Sequence, residues 1–298
     1  MSRAWTWTPL QLDKLNKAKQ IIQALAEYKP LTLRQVYYQF VSREWIENNK
    51  SQYSMLSGLL MNARLDGCIA WDDITDRTRT FHDLTGFRDA REYIKSEMYY
   101  FLSRYERNLL QGQKNYIEVW IEKDALSAIF TRAARPYRVP VTICKGYASA
   151  SFLNNYRERL RDQQGKNAII LYYGDFDPSG MNIPVTIENT LKQRMQIENL
   201  QVKRIALLKE DIERYQLPHS PEAIKAGDTR TKKHLEEYGE LAVELDALRP
   251  DILLQKIHAS IKQEIDMDGF NEEKRAEVAE LDMLNTLKEK VAEVVNYE

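Results

Sequence analysis

Apolar residues recur at helical spacing in three stretches of the first 65 residues. They predict a helix over residues 8–28, a second helix with Thr32 as its N-cap, and a third over 51–65. Thr32 and Gln35 have the spacing of a capping box. CIAW (68–71) predicts a short strand and residues 72–82 a polar hairpin or loop. Helices followed by a small strand pair are typical of a winged helix-turn-helix, although a generic helical subdomain fits the pattern equally well.

A fourth amphipathic helix is predicted over residues 88–110. Its expected buried stripe consists of Tyr93, Ile94, Met98, Phe101, Leu102, Tyr105 and Leu109. The polar residues 111–113 then mark a boundary, after which the hydrophobic pattern changes.

Strands and helices alternate beyond that boundary. Apolar runs predict strands at residues 116–122, 139–144, 168–173 and 202–208, and helices at 124–134, 149–164 and 181–195. Such alternation predicts a parallel sheet with helices on its faces. After residue 210 the pattern is largely helical and ends in a charged, solvated helix over about 271–296.

The predicted fold class is therefore α/β plus α. Residues 1–86 would form the helical, winged-helix-like domain, 87–114 a connecting helix, and 115–298 a Rossmann-like, mostly parallel α/β domain with a helical tail.

The composition restricts the class of protein, and the charge is distributed unevenly along the chain. With 43% hydrophobic and 29% charged residues, no long apolar run and only two cysteines, a cytoplasmic protein outside the membrane is expected. Two cysteines and four scattered histidines argue against a zinc site. The net charge of −1 conceals 26 Lys and Arg against 18 Asp and Glu in residues 1–166, and 17 against 26 thereafter. The first half could therefore meet a polyanion, although ordinary surface charge explains the difference as well.

Three carboxylates follow predicted strands. Glu122 closes YIEVWIE, and Asp175 and Asp177 follow AIILYY in the stretch LYYGDFDPSG. Pro178 and Gly180 there are typical of a turn, in which Gly180 would tolerate positive φ. Ligands gather beyond the carboxyl ends of parallel strands, and converging carboxylates need a hard cation such as Mg²⁺. Three surface acids on loops are the alternative.

The segments VWIEKDA and GDFDPSG resemble the Toprim metal site of topoisomerases, primases and some nucleases. They are most similar to the A subunit of topoisomerase VI and its relative, the meiotic double-strand-break transesterase. RIALLKEDIERYQLP and VELDALRP resemble later segments of that family in the same order. The resemblance covers about residues 30–260. It implies a Toprim domain after a winged helix, with Mg²⁺, for which Mn²⁺ could substitute, held by Glu122, Asp175 and Asp177.

The segment TLRQVYYQF offers a nucleophile. Tyr37 shares a helix face with apolar residues and is expected in the core, whereas Tyr38 lies about 100° further round, one turn after Arg34. Arg34 could favour the phenolate and bind the scissile phosphate. The family also has an Arg four residues before its catalytic Tyr, which matches Arg34 and Tyr38. A structural role is the alternative for any one of 17 tyrosines.

The resemblance implies transesterification on double-stranded DNA. Tyr38 would form a 5′-phosphotyrosyl link, in a homodimer where the tyrosine of one subunit works against the metal site of the other. Arg64 and Lys50, beside the presumed recognition helix, are weaker candidates for phosphate contacts.

Three features depart from the family. No segment resembles an ATPase, so a separate ATPase subunit would have to supply that activity. The chain is also short for a topoisomerase VI A subunit. CKGYAS lacks the usual proline. A free-standing relative of the kind called Mini-A is the closest expectation. A Toprim nuclease that uses activated water, or a non-catalytic DNA-binding relative, stays open.

Overall fold

The computed structural model describes residues 6–75, 85–163, 165–220, 224 and 229–295. The strands are β1 (Leu31–Thr32), β2 (Ile74–Thr75), β3 (Asn115–Ile121), β4 (Val141–Ile143), β5 (Asn167–Tyr173) and β6 (Leu200–Ala206). The first helices are α1 (Pro9–Ala24), α2 (Leu33–Val41), α3 (Lys50–Leu65), α4 (Ala90–Tyr100), α5 (Ser127–Ala134) and α6 (Ala150–Arg161). The later helices are α7 (Pro178–Asn189), α8 (Lys209–Tyr215), α9 (Thr229–Tyr238), α10 (Pro250–Glu264) and α11 (Met267–Val295).

A four-stranded sheet in the order β4-β3-β5-β6 forms the centre of the protein, and every neighbouring pair is parallel. The predicted α/β alternation is confirmed. Successive residues of β3 face opposite sides, since Val119 and Ile121 belong to one buried cluster and Trp120 to the other. Helices α5 and α10 pack on the first side, whereas residues of α6 and α7 contribute to the cluster on the second.

The N-terminal region is helical, as predicted. Thr32 begins α2 with the predicted capping box, in which the Gln35 N–H donates to the Thr32 hydroxyl at 3.2 Å and the Thr32 N–H donates to Gln35 at 2.7 Å. The same buried cluster contains residues of α1, α2 and α3 as well as residues of β3 and α10. The proposed domain boundaries stay a prediction.

The predicted strand at residues 68–71 is wrong. Residues 71–73 form a 3₁₀ turn, and the strand is β2, which pairs in parallel with β1 through Leu31 and Ile74. Ile74 and its strand partner Leu31 are both buried in the same cluster, whereas Trp71 of CIAW is exposed. The rest of the predicted hairpin, from residue 76, lies outside the described residues.

The helix predicted over residues 88–110 is shorter and more exposed than its pattern suggests. Helix α4 ends at Tyr100, and Leu102 adopts a positive φ of 59° that a helix cannot continue through. No residue of α4 is buried, and the side chains of Tyr93 and Ile94 are exposed. Only Leu109 of the predicted stripe is fully buried, and it lies beyond the helix.

The C-terminal helix α11 is longer than predicted and solvated over most of its surface. Its acidic residues Glu273 and Glu280 both pair with Arg107, which fastens the helix to the segment before β3. Within the described part of the chain, no helix combines the length and apolar character that a membrane span needs.

Candidate functional site

The carboxyl ends of β3 and β5 lie side by side. Ile121 is paired with Tyr173, and the Glu122 N–H donates to the Tyr173 carbonyl at 2.9 Å. Directly beyond that pair, a Glu122 carboxylate oxygen accepts the Asp175 N–H at 3.2 Å. The sheet therefore brings Glu122 to the segment that carries Asp175, as the parallel arrangement predicted.

A tight turn presents the second aspartate. Asp177 is the N-cap of α7 and accepts the Gly180 N–H at 2.6 Å, while Pro178 occupies the first helical position. A Cβ on Gly180 would lie 2.2 Å from the Asp175 carbonyl oxygen. The turn is confirmed, but glycine is required there by close backbone approach, because the φ of Gly180 is not positive.

The side chain of Arg204 stabilises the same turn. Its guanidinium donates to the carbonyls of Gly174 (3.1 Å), Asp175 (2.6 Å), Gly180 (2.7 Å) and Leu207 (3.0 Å). Its pKa is lowered by burial. Because its donors are used on backbone carbonyls at both ends of the turn, Arg204 positions the turn.

A segment of the C-terminal region covers the outer side of the turn. Phe176 and Val243 exchange backbone hydrogen bonds of 2.8 and 2.9 Å in an antiparallel bridge. Two residues later, the Leu245 N–H donates to Asp175 Oδ1 at 2.7 Å. These contacts bring Glu244 and Asp246 to the sheet edge, although neither was a predicted site residue.

The ammonium group of Lys123 forms ion pairs with Asp175, Glu244 and Asp246. Its ammonium nitrogen lies 3.0 Å from Asp175 Oδ2, 2.9 Å from Glu244 Oε2 and 3.0 Å from Asp246 Oδ2. We call Lys123 and these three carboxylates the Lys123 cluster. Burial opposes the charge on Lys123, but the carboxylates of Asp246, Asp175 and Glu244 outweigh it and raise the pKa of its ammonium group.

Burial also raises the pKa of two predicted site acids, Asp175 and Glu122. It raises the pKa of Asp175 to about 7, against the opposing influence of Lys123 and with a further increase from Glu122. Burial also raises the pKa of Glu122, to which the nearby charge of Asp177 contributes. Glu122 thus raises the pKa of Asp175, and Asp177 raises the pKa of Glu122, at one edge of the sheet.

The predicted nucleophile reaches the same cluster from the N-terminal region. Arg34 and Tyr38 lie one turn apart on α2, and the Arg34 guanidinium is paired with Glu244. Tyr38 and Glu244 are close enough to shift each other's pKa. Three contacts, Arg34 to Glu244, Glu244 to Lys123 and Lys123 to Asp175, therefore link α2 to the sheet edge.

Tyr38 is nevertheless buried, with 4% of its surface exposed. Burial and the charge of Glu244 raise the pKa of its phenol and outweigh the opposite effects of Ser220, Lys123 and Arg34. Arg34 thus favours the phenolate, as expected, but burial and Glu244 outweigh its effect on the pKa of Tyr38 in this conformation. Tyr37 is buried as expected, at 3% exposure.

A short segment covers Tyr38. The hydroxyls of Tyr38 and Ser220 lie 3.4 Å apart. Asn48 holds the segment in place, because its amide donates to the His219 carbonyl at 2.5 Å and to the Ser220 hydroxyl at 3.1 Å. Tyr37 supports Asn48 by donating to its side-chain oxygen at 3.0 Å.

The two candidates for phosphate contacts lie elsewhere, on α3. Lys50 is exposed at the start of that helix. Arg64 lies over the Trp71 ring at 4.5 Å and donates to the Trp71 carbonyl at 3.3 Å. Among the described contacts, none joins Lys50 or Arg64 to the Lys123 cluster.

Sequence reasoning missed Lys123, Glu244 and Asp246 as site residues. Lys123 directly follows a predicted ligand, and Glu244 and Asp246 repeat the acid-x-acid spacing of Asp175 and Asp177. That repeat was the available signal, but 121 residues separate Lys123 from Glu244.

The donor set fits a hard cation by its chemistry, since Mg²⁺ prefers carboxylate oxygens. One oxygen each of Glu122 and Asp177 makes no hydrogen bond within the described part of the chain. Asp175 is different, because Leu245 and Lys123 engage both of its oxygens. As placed, the described residues contain no group of three or more His, Cys, Asp or Glu side chains arranged to hold a metal.

No protein-family model matches the chain, and a search of curated proteins found no match either.

Proposed function

We propose that this protein is a DNA-cleaving transesterase in which Tyr38 attacks a phosphodiester of double-stranded DNA. The observation that carries the proposal is the set of contacts between α2 and the sheet edge. Arg34 pairs with Glu244, Glu244 pairs with Lys123, and Lys123 pairs with Asp175. Arg34, which lies one turn before Tyr38, and Asp175 were both predicted site residues, and these contacts place them in one connected group of side chains.

The finer fold assignment belongs to the same proposal. The helical N-terminal region would be a winged helix-turn-helix, and the four-stranded parallel sheet a Toprim domain. In its support, Glu122 and the Asp175–Asp177 turn lie beyond the carboxyl ends of adjacent parallel strands. The positive charge of residues 1–166 is consistent with a polyanionic substrate.

The reaction exchanges one phosphate ester for another. The Tyr38 oxygen bonds to phosphorus while the bond from phosphorus to the 3′ oxygen breaks, which leaves a 5′-phosphotyrosyl link and a 3′-hydroxyl. The phenolic proton is released to the surrounding carboxylates or water, and the leaving 3′ oxygen takes up one proton from solvent. Arg34, whose side chain is 41% exposed, would bind the phosphate.

Glu122, Asp175 and Asp177 would hold Mg²⁺ or Mn²⁺, with Asp175 released from Lys123. The bound cation would neutralise charge that develops on the phosphate. Lys50 and Arg64 would contact the DNA backbone away from the reacting phosphate. A homodimer would be needed for a double-strand break, because each chain supplies one Tyr38. A separate ATPase subunit would be needed for strand passage.

A hydrolytic Toprim nuclease is the second candidate. The observation that favours it is the burial of Tyr38 together with its raised pKa, since both disfavour a nucleophilic phenolate. In that case Tyr38 is structural, and the acids act on an activated water.

Covalent trapping separates these functions. Supercoiled DNA is incubated with protein and Mg²⁺ or Mn²⁺, denatured, and assayed for protein attached to 5′ ends. The transesterase gives an adduct that Tyr38→Phe abolishes and that the neighbouring control Tyr37→Phe retains. Cleavage that survives Tyr38→Phe but is lost in Asp177→Asn establishes the nuclease. Salt-sensitive DNA binding without cleavage overturns both and indicates a binding protein.

A further inference from the structure

We infer that Lys123 is an internal cation that competes with the divalent metal for Asp175, and that metal binding moves its ammonium group onto Glu244 and Asp246. This inference deepens the proposed function and rests on its metal site, which the transesterase and the hydrolytic nuclease have in common. It gives Lys123 a regulatory role, because the ammonium group would set how tightly the site binds Mg²⁺ or Mn²⁺.

Two consecutive residues engage Asp175. A Glu122 carboxylate oxygen accepts the Asp175 N–H at 3.2 Å, and the Lys123 ammonium group pairs with Asp175 Oδ2 at 3.0 Å. The Leu245 N–H donates to the other oxygen, Oδ1, at 2.7 Å. Lys123 therefore occupies the carboxylate oxygen that the backbone of Leu245 leaves to a cation.

Two cations at one carboxylate repel each other. The side chains of Lys123 and Asp175 are only 19% and 12% exposed. Water screens charges weakly in such a partly buried place, so the repulsion between an ammonium group and a divalent ion on Asp175 would be strong. Metal binding is therefore expected to displace the ammonium group from Asp175.

Asp246 explains where the ammonium group goes. Its side chain is completely buried and pairs with Lys123 at 3.0 Å, and its Oδ1 has no hydrogen-bond partner among the described residues. A buried carboxylate without a counter-charge is costly, so Lys123 stays with Asp246 when it leaves Asp175. Glu244 lies 2.9 Å from the same ammonium group. The flexible four-carbon stem of lysine allows this short movement.

The acids outnumber the cations that pair with them at this edge of the sheet. In the described part of the chain, those cations are Lys123 and Arg34. The acids are Glu122, Asp175, Asp177, Glu244 and Asp246. The exchange would leave both groups compensated, because the metal would neutralise the first three acids while Lys123 and Arg34 pair with the last two.

Titration calorimetry with Mn²⁺ tests the competition on the full chain without DNA. Lys123→Met removes the internal cation and leaves Asp175 free for the metal, so we expect the dissociation constant for Mn²⁺ to fall about tenfold. Unchanged or weaker binding by the folded variant overturns the inference.

Lys145→Met is the matched control. The Lys145 backbone N–H donates to the Glu122 carbonyl at 3.1 Å, but its ammonium group pairs with Asp124 and its side chain is 70% exposed. We expect the Mn²⁺ dissociation constant to change by less than about twofold, because water and salt screen an exposed charge. An equal gain in the two lysine variants would show a general effect of charge and would also overturn the inference.

Crystal structures of the unmodified protein, one in EDTA and one in Mn²⁺, test the movement without relying on the folding of a variant. Anomalous scattering locates the Mn²⁺. We expect it beside Asp175, with the Lys123 nitrogen more than about 4 Å from Asp175 Oδ2 and still paired with Asp246. Mn²⁺ bound to Asp175 with the Lys123 pair intact, or bound without Asp175, overturns the inference.

Two outcomes distinguish this inference from the proposed function. If Mn²⁺ binds at the sheet edge while Lys123 keeps its contact with Asp175, the inference alone fails. If neither the unmodified protein nor Lys123→Met binds Mn²⁺, the metal site is wrong, and the proposed function fails together with the inference.

Discussion

The ammonium nitrogen of Lys123 lies 3.0 Å from Asp175 Oδ2. Because Glu244 and Asp246 contact the same ammonium group, one cation pairs with three carboxylates from two distant parts of the chain. The Asp246 side chain is completely buried. A buried charge is costly unless it is paired, so Lys123 is required for these acids to lie together.

Replacement of Lys123 by methionine is expected to destabilise the protein by about 3 kcal/mol, because it leaves the carboxylates without their common cation. Urea denaturation in EDTA measures the change. Lys123→Met/Asp246→Asn should recover part of the loss, since it removes one of the uncompensated charges.

Lys145→Met is the matched control. Lys145 pairs with Asp124 at 3.2 Å, but its side chain is 70% exposed. An exposed pair contributes at most about 1 kcal/mol. Equal losses in the two lysine variants would show that Lys123 is no more important than a surface lysine.

Much of the sheet edge could be predicted from the sequence. The strands β3 and β5 consist of nearly continuous apolar residues, which is typical of a sheet covered on both faces. Their parallel pairing then follows from the helices between them, and it places Glu122 beside the Asp175 segment. Local turn chemistry likewise predicted the turn at Pro178.

The contacts around Tyr38 could not be predicted in this way. Helical periodicity shows that Tyr38 and Arg34 share a face, but it does not show what covers that face. The partners are Glu244, 210 residues after Arg34, and Ser220, 182 residues after Tyr38. Helix α4 illustrates the opposite error, since its aromatic residues have an apolar pattern although none of them is buried.

Gly180→Ala tests the turn. The added methyl group would meet the Asp175 carbonyl oxygen at 2.2 Å and the carbonyl carbon at 3.0 Å, and neither backbone atom can move without opening the turn. We expect a loss of about 1–3 kcal/mol in unfolding free energy, together with weaker Mn²⁺ binding in titration calorimetry.

Gly58→Ala is the corresponding control within α3. A Cβ at Gly58 meets nothing within 4 Å, so alanine should stabilise that helix by about 0.5–1 kcal/mol. Similar responses of the two glycines would contradict the close approach of Gly180 to Asp175.

The pH dependence of stability tests the environment of Asp175. Burial raises its pKa from 3.8 to about 7 on folding, so the folded chain binds this proton more tightly than the unfolded chain. The resulting stabilisation is complete below pH 3.8 and is lost as the pH rises through about 7. Relative to Asp175→Asn, the unmodified protein should therefore lose up to about 4 kcal/mol across this window.

The measurement is urea denaturation of both proteins in EDTA at constant ionic strength. Asparagine is uncharged at every pH and similar in shape, so the difference between the two curves isolates the titration of Asp175. Parallel curves between pH 4 and 7 would contradict a raised pKa and would indicate that Lys123 keeps Asp175 fully ionised.

Release of the cover over Tyr38 should make its ring reactive. Asn48→Ala removes both hydrogen bonds that the Asn48 side chain donates to the His219–Ser220 segment, and we expect nitration of Tyr38 by tetranitromethane to become at least several times faster. Mass spectrometry of peptides measures each tyrosine separately. Tyr99, which is 72% exposed, and the fully buried Tyr172 serve as reactive and protected references in the same sample. Ser220→Ala removes the contact with the Tyr38 hydroxyl and one of the two hydrogen bonds from Asn48, and it should accelerate nitration less, because Asn48 still holds the His219 carbonyl. An unchanged nitration rate in Asn48→Ala would mean that α2 itself, rather than this segment, keeps Tyr38 from solvent.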